Sequence, residues 1–262
     1  SGKRKEAVEG EVVDRPEWLN DWVYVQSADK FFNLKTRHFI STKAFDAQYN
    51  RLVGEAFGTG GSDDEEDGRS ATKVAWKEWQ VTCAYTDLFW PGADTLLTYR
   101  DLLAVNTWRQ QGIDWQRYGD NQSAEGAEAI NAFKQHLHAI FDSDEYRELF
   151  LDWFCFVLQN PGRRVNHGML VQGCEGSGKS YFSKIATLAL GDNVKIISTS
   201  DISEKYSAWA EGSVLNIVEE IYIPSGSRHD DKYEVLNRFK PFITNDQVAV
   251  RRMFRDSVTV PN

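Results

Sequence analysis

Hydrophobic and polar positions change their period along the chain. From Trp18 to Ile40 they alternate. Trp22-Val23-Tyr24-Val25, Phe31-Phe32-Asn33-Leu34 and Arg37-His38-Phe39-Ile40 are separated by polar breaks at Ala28-Asp29-Lys30 and Lys35-Thr36. Strand side chains point to alternate faces, so this pattern predicts short antiparallel strands with tight turns. Helices are expected over Thr42–Glu55 and Ala71–Val81, a turn at Trp90-Pro91-Gly92, and a strand, internal or at an edge, over Leu102–Trp108. Residues 58–68, Gly-Thr-Gly-Gly-Ser-Asp-Asp-Glu-Glu-Asp-Gly, read as a mobile solvated loop, with a metal-binding acidic loop as the alternative.

From Gly126 the period becomes helical. Ile130, Phe133, Leu137 and Ile140 recur every three to four positions and predict a helix over Ala127–Ile140. His136 and His138 on it read as ordinary surface or core histidines rather than metal ligands. Asp142 and Glu145 resemble a capping box for a second helix, with Leu149, Trp153, Phe156 and Val157 on one face and Pro161-Gly162 as its stop. A strand-length apolar segment, His167–Gln172, comes next. Beyond it, Tyr181–Leu190 reads as a helix with Phe182, Ile185, Ala186 and Ala189 on one face and Gly191 at its end.

Asn193–Ile197 and Ser213–Val218 are the following strands, and Asp201 and Ser203 are expected to cap a helix at Glu204–Ala210. Tyr233–Phe239 reads as a helix ended by Lys240-Pro241, and Thr244-Asn245-Asp246 as a turn. Val248–Val250 and Val258–Val260 then form a hairpin around Arg251-Arg252-Met253-Phe254-Arg255-Asp256-Ser257. The chain is thus expected to comprise a mixed, aromatic-rich α+β module of unknown role at 12–125, a helical bridge at 126–163 and an α/β core at 164–262.

Composition narrows the class. Of 262 residues, 41% are hydrophobic and 26% charged, as in soluble globular proteins. No apolar run reaches bilayer length and no secretory leader opens the chain, so no membrane partner is expected. Cys83, Cys155 and Cys174 are scattered without metal-ligand spacing, which fits a reducing cytoplasm. A net charge of -9 disfavours a protein that coats nucleic acid but leaves room for a local basic grip.

The candidate chemistry lies at Gly173-Cys174-Glu175-Gly176-Ser177-Gly178-Lys179-Ser180, which satisfies G-x-x-x-x-G-K-[ST] between a strand-like and a helix-like segment. Glycines let backbone N–H groups approach phosphate without side-chain clash, and the following helix N-terminus adds partial positive charge. These eight residues with Tyr181 are the expected ATP-binding set. Lys179 is expected to reach the β- and γ-phosphates, and Ser180 to offer its hydroxyl to Mg²⁺. Glu219-Glu220 closes the strand Ser213–Val218. Neighbouring strand residues face opposite ways, so the two acids take different roles: Glu219 on Mg²⁺ and Glu220 on the attacking water, or the reverse. The arginine-rich tip reads either as a solvated hairpin or as a DNA grip in which arginines meet phosphates and Phe254 stacks on a base or wedges against a sugar.

Taken together, the phosphate loop, the strand ending in Glu219-Glu220, Phe239–Asp246 and the arginine hairpin resemble superfamily 3 helicases, closest to the primase-helicases of phages and plasmids. The resemblance covers about residues 145–262. It implies an AAA+-like three-layer ATPase core, a hexameric ring and ATP-driven 3′-to-5′ movement on single-stranded DNA. It also implies a primase or polymerase domain or partner, and a host-cell cytoplasmic location if phage-encoded. By that match Arg251, Arg252, Phe254 and Arg255 contact DNA. The family's sensor asparagine and arginine finger have no counterpart here. With a start at Ser1 lacking methionine and a stop at Asn262 inside a strand, the chain reads as a segment of a longer protein, weakly active or inactive in ATP hydrolysis alone. A small-molecule kinase and a non-hydrolysing assembly or loader module are the alternative readings.

Overall fold

The alternation from Trp22 to Ile40 folds into antiparallel strands. In the computed structural model, which describes residues 14–57, 70–113, 123–203, 207–219, 237, 239–250 and 258–261, β1 (Trp22–Val25), β2 (Lys30–Asn33) and β3 (Phe39–Ser41) are sequential neighbours. The β2–β3 turn closes on Asn33, whose Oδ1 accepts from the Lys35 and Thr36 amides at 3.0 and 2.8 Å. The acidic stretch 58–68 lies outside the described residues. The chain divides into two compact units, 1–88 with 94–107 and 89–93 with 108–262.

In the first unit the two faces of β1 and β2 bury against different partners. Trp22 and Phe31 pack with α1 (Thr42–Ala56) and α2 (Ala71–Lys77), whereas Val23, Val25 and Phe32 join Ala84 and Val105 on the other side. Serines cap both helices: Ser41 Oγ accepts from Ala44 N at 3.1 Å and Ser70 Oγ from Lys73 N at 3.3 Å. Helix α2 is shorter than the period suggests. Gln80 takes φ +47° and Val81 N returns to Ala75 O at 2.8 Å, which turns the chain so that β4 (Thr82–Ala84) joins the free edge of β1 in parallel.

A second sheet holds β5 (Thr86–Leu88), β6 (Leu96–Tyr99) and β7 (Leu102–Asn106) in the order β5-β7-β6, so β7 is central rather than an edge. Arg100 and Asp101, at φ +50° and +64°, make the β6–β7 turn, a left-handed geometry that suits strand twist. The core opposite this sheet is aromatic. Phe31 and Phe45 stack at 3.7 Å, Trp18 and Tyr49 at 4.1 Å, and Trp22 Nε1 donates to Tyr49 Oη at 2.9 Å in a buried setting.

In the second unit, α3 (Ala124–Ile140) begins three residues before the expected start because Ser123 caps it, its Oγ accepting from Gly126 N at 3.0 Å. Helix α4 (Asp144–Gln159) begins after Ser143, so the expected Asp142/Glu145 box does not form; Asp144 pairs with Arg147 instead. The buried face of α4 is Phe150, Phe154, Val157 and Leu158, while Leu149 and Phe156 are 54% and 38% exposed. Of the expected face, Val157 and Trp153 do meet the core; the other two positions fall outside it because apolar residues surround most of the helix.

Helix α5 (Tyr181–Leu190) has the expected bounds. Parallel strands β8 (Val194–Ile197) and β9 (Leu215–Val218) follow it. Between them α6 (Thr199–Ser203) starts with a reciprocal box: Asp201 N donates to Ser198 Oγ at 3.3 Å and Ser198 N to Asp201 Oδ2 at 2.9 Å. The Ser198 hydroxyl, donating to Asp201 Oδ2 at 2.6 Å, and then the Ser198 amide hold the Asp201 carboxyl below its ordinary range. Asp201 therefore caps an earlier helix than the sequence suggested. Residues 239–244 are helical through Lys240-Pro241, and β10 (Gln247–Val250) pairs antiparallel with β11 (Val258–Pro261). Residues 167–172 alternate as a strand does, with Met169 and Val171 against the core and Leu170 79% exposed, but they join no ladder among the described residues. Both units mix helices with small sheets, an α/β class. No described helix is long and apolar enough to cross a membrane.

Phe45→Ala should lower stability by about 3–5 kcal/mol through the cavity it leaves. Tyr49→Phe, which strips the buried Trp22 N–H of its acceptor, should cost about 1–3 kcal/mol. Thermal and urea melts followed by near-ultraviolet circular dichroism check both values and their order.

Candidate nucleotide-binding site

The loop between residues 172 and 181 takes its shape from two left-handed glycines. Gly176 has φ +76° and Gly178 φ +87°, conformations that L side chains rarely adopt. A Cβ on Gly176 would meet open space, whereas one on Gly178 would lie 2.5 Å from His136 Cε1. The loop curls around its own lysine. Lys179 Nζ donates to Gly173 O at 2.9 Å, to Cys174 O at 2.6 Å and to Ser177 Oγ at 3.0 Å. All three ammonium donors are thereby used. The same cation would exchange these acceptors for phosphate oxygens at little electrostatic cost, because both partners offer oxygen lone pairs.

Ser180 stands at the N-cap position of α5 without a side-chain capping bond, and the first turn is formed by Tyr181 N to Gly178 O at 3.0 Å and Phe182 N to Lys179 O at 3.1 Å. The loop therefore runs straight into a helix N-terminus, where the helix dipole favours an anion. Phe182 anchors that turn. It is 7% exposed and meets Phe150 at 4.5 Å, Phe154 at 6.1 Å and Phe141 at 6.3 Å between ring centroids. At the far end, Gly112 packs on α5 so closely that a Cβ would lie 2.2 Å from Ala189 O, and Ile113 N donates to that oxygen at 3.1 Å. This covering of the helix C-terminus by residues 112–113 had no signal in the sequence.

The acidic strand meets the same helix. Glu219 extends the β8–β9 pairing, its amide donating to Ile197 O at 3.3 Å, and its Oε1 accepts from Ser183 Oγ at 3.0 Å. Ser183 lies three positions after Ser180, so the two serines share one face of α5. Lys179, Ser180 and Glu219 are thus carried by one loop–helix element and the strand bonded to it. Cys174 and Glu175 are exposed at the loop, and Tyr181 is 46% exposed at the helix start. Glu220 lies outside the described residues, as do Arg251, Arg252, Phe254 and Arg255; only the two strands of their hairpin are described. No cluster of metal-ligating side chains occurs among the described residues.

Two interactions near the loop carried no signal in the sequence. His136 Nε2 lies 3.1 Å from Gly178 O. Arg164, eight to nine positions before the loop, bonds the Asn245 carbonyl oxygen, reaches Asp246 Oδ1 and Ile243 O at 3.4 Å, and so fixes the root of the β10–β11 hairpin.

Comparison with known proteins adds the following. A family described only as one of unknown function, DUF5906, matches residues 171–262. No curated protein matches the chain. Solved apo structures of the C-terminal region of NrS-1 share its fold. One aligns over 95% of this chain with a TM-score of 0.67 at 15% identity, and another over 92% with a TM-score of 0.62 at 13% identity. The chain spans 55% of the length of the first of these regions.

Gly176→Ala should destabilise the second unit by about 1–2 kcal/mol, the cost of a left-handed alanine. Gly178→Ala should cost more, because it also displaces His136. Differential scanning calorimetry of the two variants checks this order; equal losses would contradict the packing described for Gly178.

Proposed function

We propose that this chain is the ATP-driven motor segment of a phage or plasmid DNA replication helicase of the superfamily 3 type, built on an AAA+-like core. One observation carries the reading: a left-handed, glycine-shaped loop seats Lys179 at the start of a helix that is hydrogen-bonded to the acidic strand end at Glu219. The fold likeness to the C-terminal region of NrS-1 supports the α/β architecture on which this reading is built.

The residues fit Mg²⁺ and a triphosphate. Gly173–Tyr181 would hold the phosphates, and Ser180 and Glu219 the ion, which when bound neutralises phosphate charge. Lys179 is the point charge that follows the β- and γ-oxygens. Ser183 orients the Glu219 carboxylate by donating to one oxygen and leaving the other free to act. Glu220 is assigned the proton or orientation of the attacking water. The hairpin of β10 and β11 carries Arg251, Arg252, Phe254 and Arg255 to single-stranded DNA, where arginines meet phosphates and the ring stacks. Assembly into a hexameric ring, and a primase or polymerase partner, belong to this reading.

In the full-length protein, Lys179→Ala should abolish nucleotide binding, and Glu220→Gln should retain binding but lose DNA-stimulated hydrolysis by about 10²-fold or more. Phosphate release assays with and without single-stranded DNA check this. Hydrolysis unchanged in the Gln variant would favour a nucleotide clamp, and phosphoryl transfer to a metabolite would favour a kinase.

The double variant Arg252→Ala/Arg255→Ala should weaken single-stranded DNA binding and flatten its salt dependence, the slope falling by about 0.7 for each phosphate left unneutralised. Fluorescence anisotropy across a salt series reads both quantities. Unchanged affinity and slope would remove these arginines from the interface.

A further inference from the structure

His136 sits on α3, 42 positions before Gly178, yet its Nε2 is 3.1 Å from the Gly178 carbonyl oxygen. A carbonyl oxygen only accepts, so Nε2 carries the proton and donates. The ring meets Tyr181 edge-on at 5.1 Å and Phe182 at 5.8 Å between centroids. It reaches the loop because Gly178 has no side chain; a Cβ would lie 2.5 Å from its Cε1 and 3.3 Å from its Nε2.

The consequence follows from peptide geometry. The unit joining Gly178 to Lys179 is planar and trans, so the Gly178 C=O and the Lys179 N–H point in opposite directions. That carbonyl already accepts Tyr181 N–H at 3.0 Å. A second donor from another helix, with the ring wedged against Gly178, fixes the plane. The Lys179 amide is then held facing away from His136.

We propose that His136 is a positioning residue for polyphosphate binding. It holds the Gly178–Lys179 peptide plane so that the Lys179 amide is presented to a phosphate oxygen of a nucleoside triphosphate, and it ties occupancy of the loop to α3. The proposal rests on the nucleotide-binding reading above. It gives His136 a function that metal-ligand spacing and surface exposure do not suggest, and a reason for glycine at 178 beyond backbone freedom.

The test is equilibrium binding of a fluorescent ATP analogue with Mg²⁺ to the 262-residue chain, comparing wild type, Lys179→Ala, His136→Phe and His136→Gln. Phenylalanine keeps a ring against Tyr181 and Phe182 but has no donor; glutamine restores an N–H. His136→Phe should weaken binding about 5- to 15-fold, as expected for loss of one net hydrogen bond, and His136→Gln should recover it to within about threefold. Wild-type affinity in the Phe variant overturns the proposal, as does a Gln variant as weak as the Phe variant while melting like wild type. Failure of the wild type to bind, or binding indifferent to Lys179→Ala, overturns the nucleotide reading and this proposal with it. Hydrogen–deuterium exchange of residues 124–140 in the wild type decides the matter independently of variant folding. Slower exchange on adding the Mg²⁺–ATP analogue supports the tie between loop and α3, and unchanged exchange with the nucleotide bound overturns it.

Discussion

The position of one aromatic ring underlies everything said about the site. Phe182 follows the loop by two residues and is buried among Phe141, Phe150 and Phe154. Full burial of such a side chain contributes about 1.5–3 kcal/mol, enough to fix the first turn of α5 against α4. Because that turn is fixed, the backbone amides before it have a defined direction. The proposed phosphate loop needs this as well as its lysine: its other donors are backbone groups, and they can be aimed only by what holds the peptide planes.

Around that anchor the loop satisfies its own charge. Lys179 is held by two carbonyl oxygens and a serine hydroxyl, and Glu219 by Ser183. The cation and the carboxylate therefore do not neutralise each other in a direct ion pair among the described residues. Opposite charges kept apart, one in the loop before α5 and one at the end of β9, each held by neutral polar groups, remain available to a ligand of mixed charge such as a metal–polyphosphate. A direct pair would first have to be broken. Hydrogen bonds to neutral groups are exchanged at lower cost than those between charges, which suits a site that must fill and empty.

Legibility in the sequence followed the strength of local signals. The strands at residues 22–40 were readable because short apolar runs are cut by polar breaks, and the helices Thr42–Ala56 and Tyr181–Leu190 because a buried apolar stripe recurs along each. The buried face of α4 was readable only in part, since a helix apolar nearly all round gives periodicity no clean stripe to find. Strands β4, β5 and β6 are three or four residues long and two of them pair in parallel with distant partners, so no turn signal marks them. At the site, the loop motif announced itself by residue type, and Glu219 by its place at a strand end. His136, Ser183 and the Gly112–Ala189 packing were invisible, because each depends on which helix lies beside the loop. Long-range neighbours are set by the fold and leave no mark in local spacing.

If a triphosphate occupies the loop, as proposed, the chain carries its own reporter. Cys174 is an exposed thiol within the loop, and Cys83, exposed in the other unit, is a built-in control. Alkylation of both thiols can be timed by peptide mass spectrometry with and without Mg²⁺–ATP. Saturating nucleotide should slow modification of Cys174 by about an order of magnitude while leaving Cys83 unchanged. Equal alkylation rates of Cys174 with and without saturating Mg²⁺–ATP would contradict occupancy of the loop.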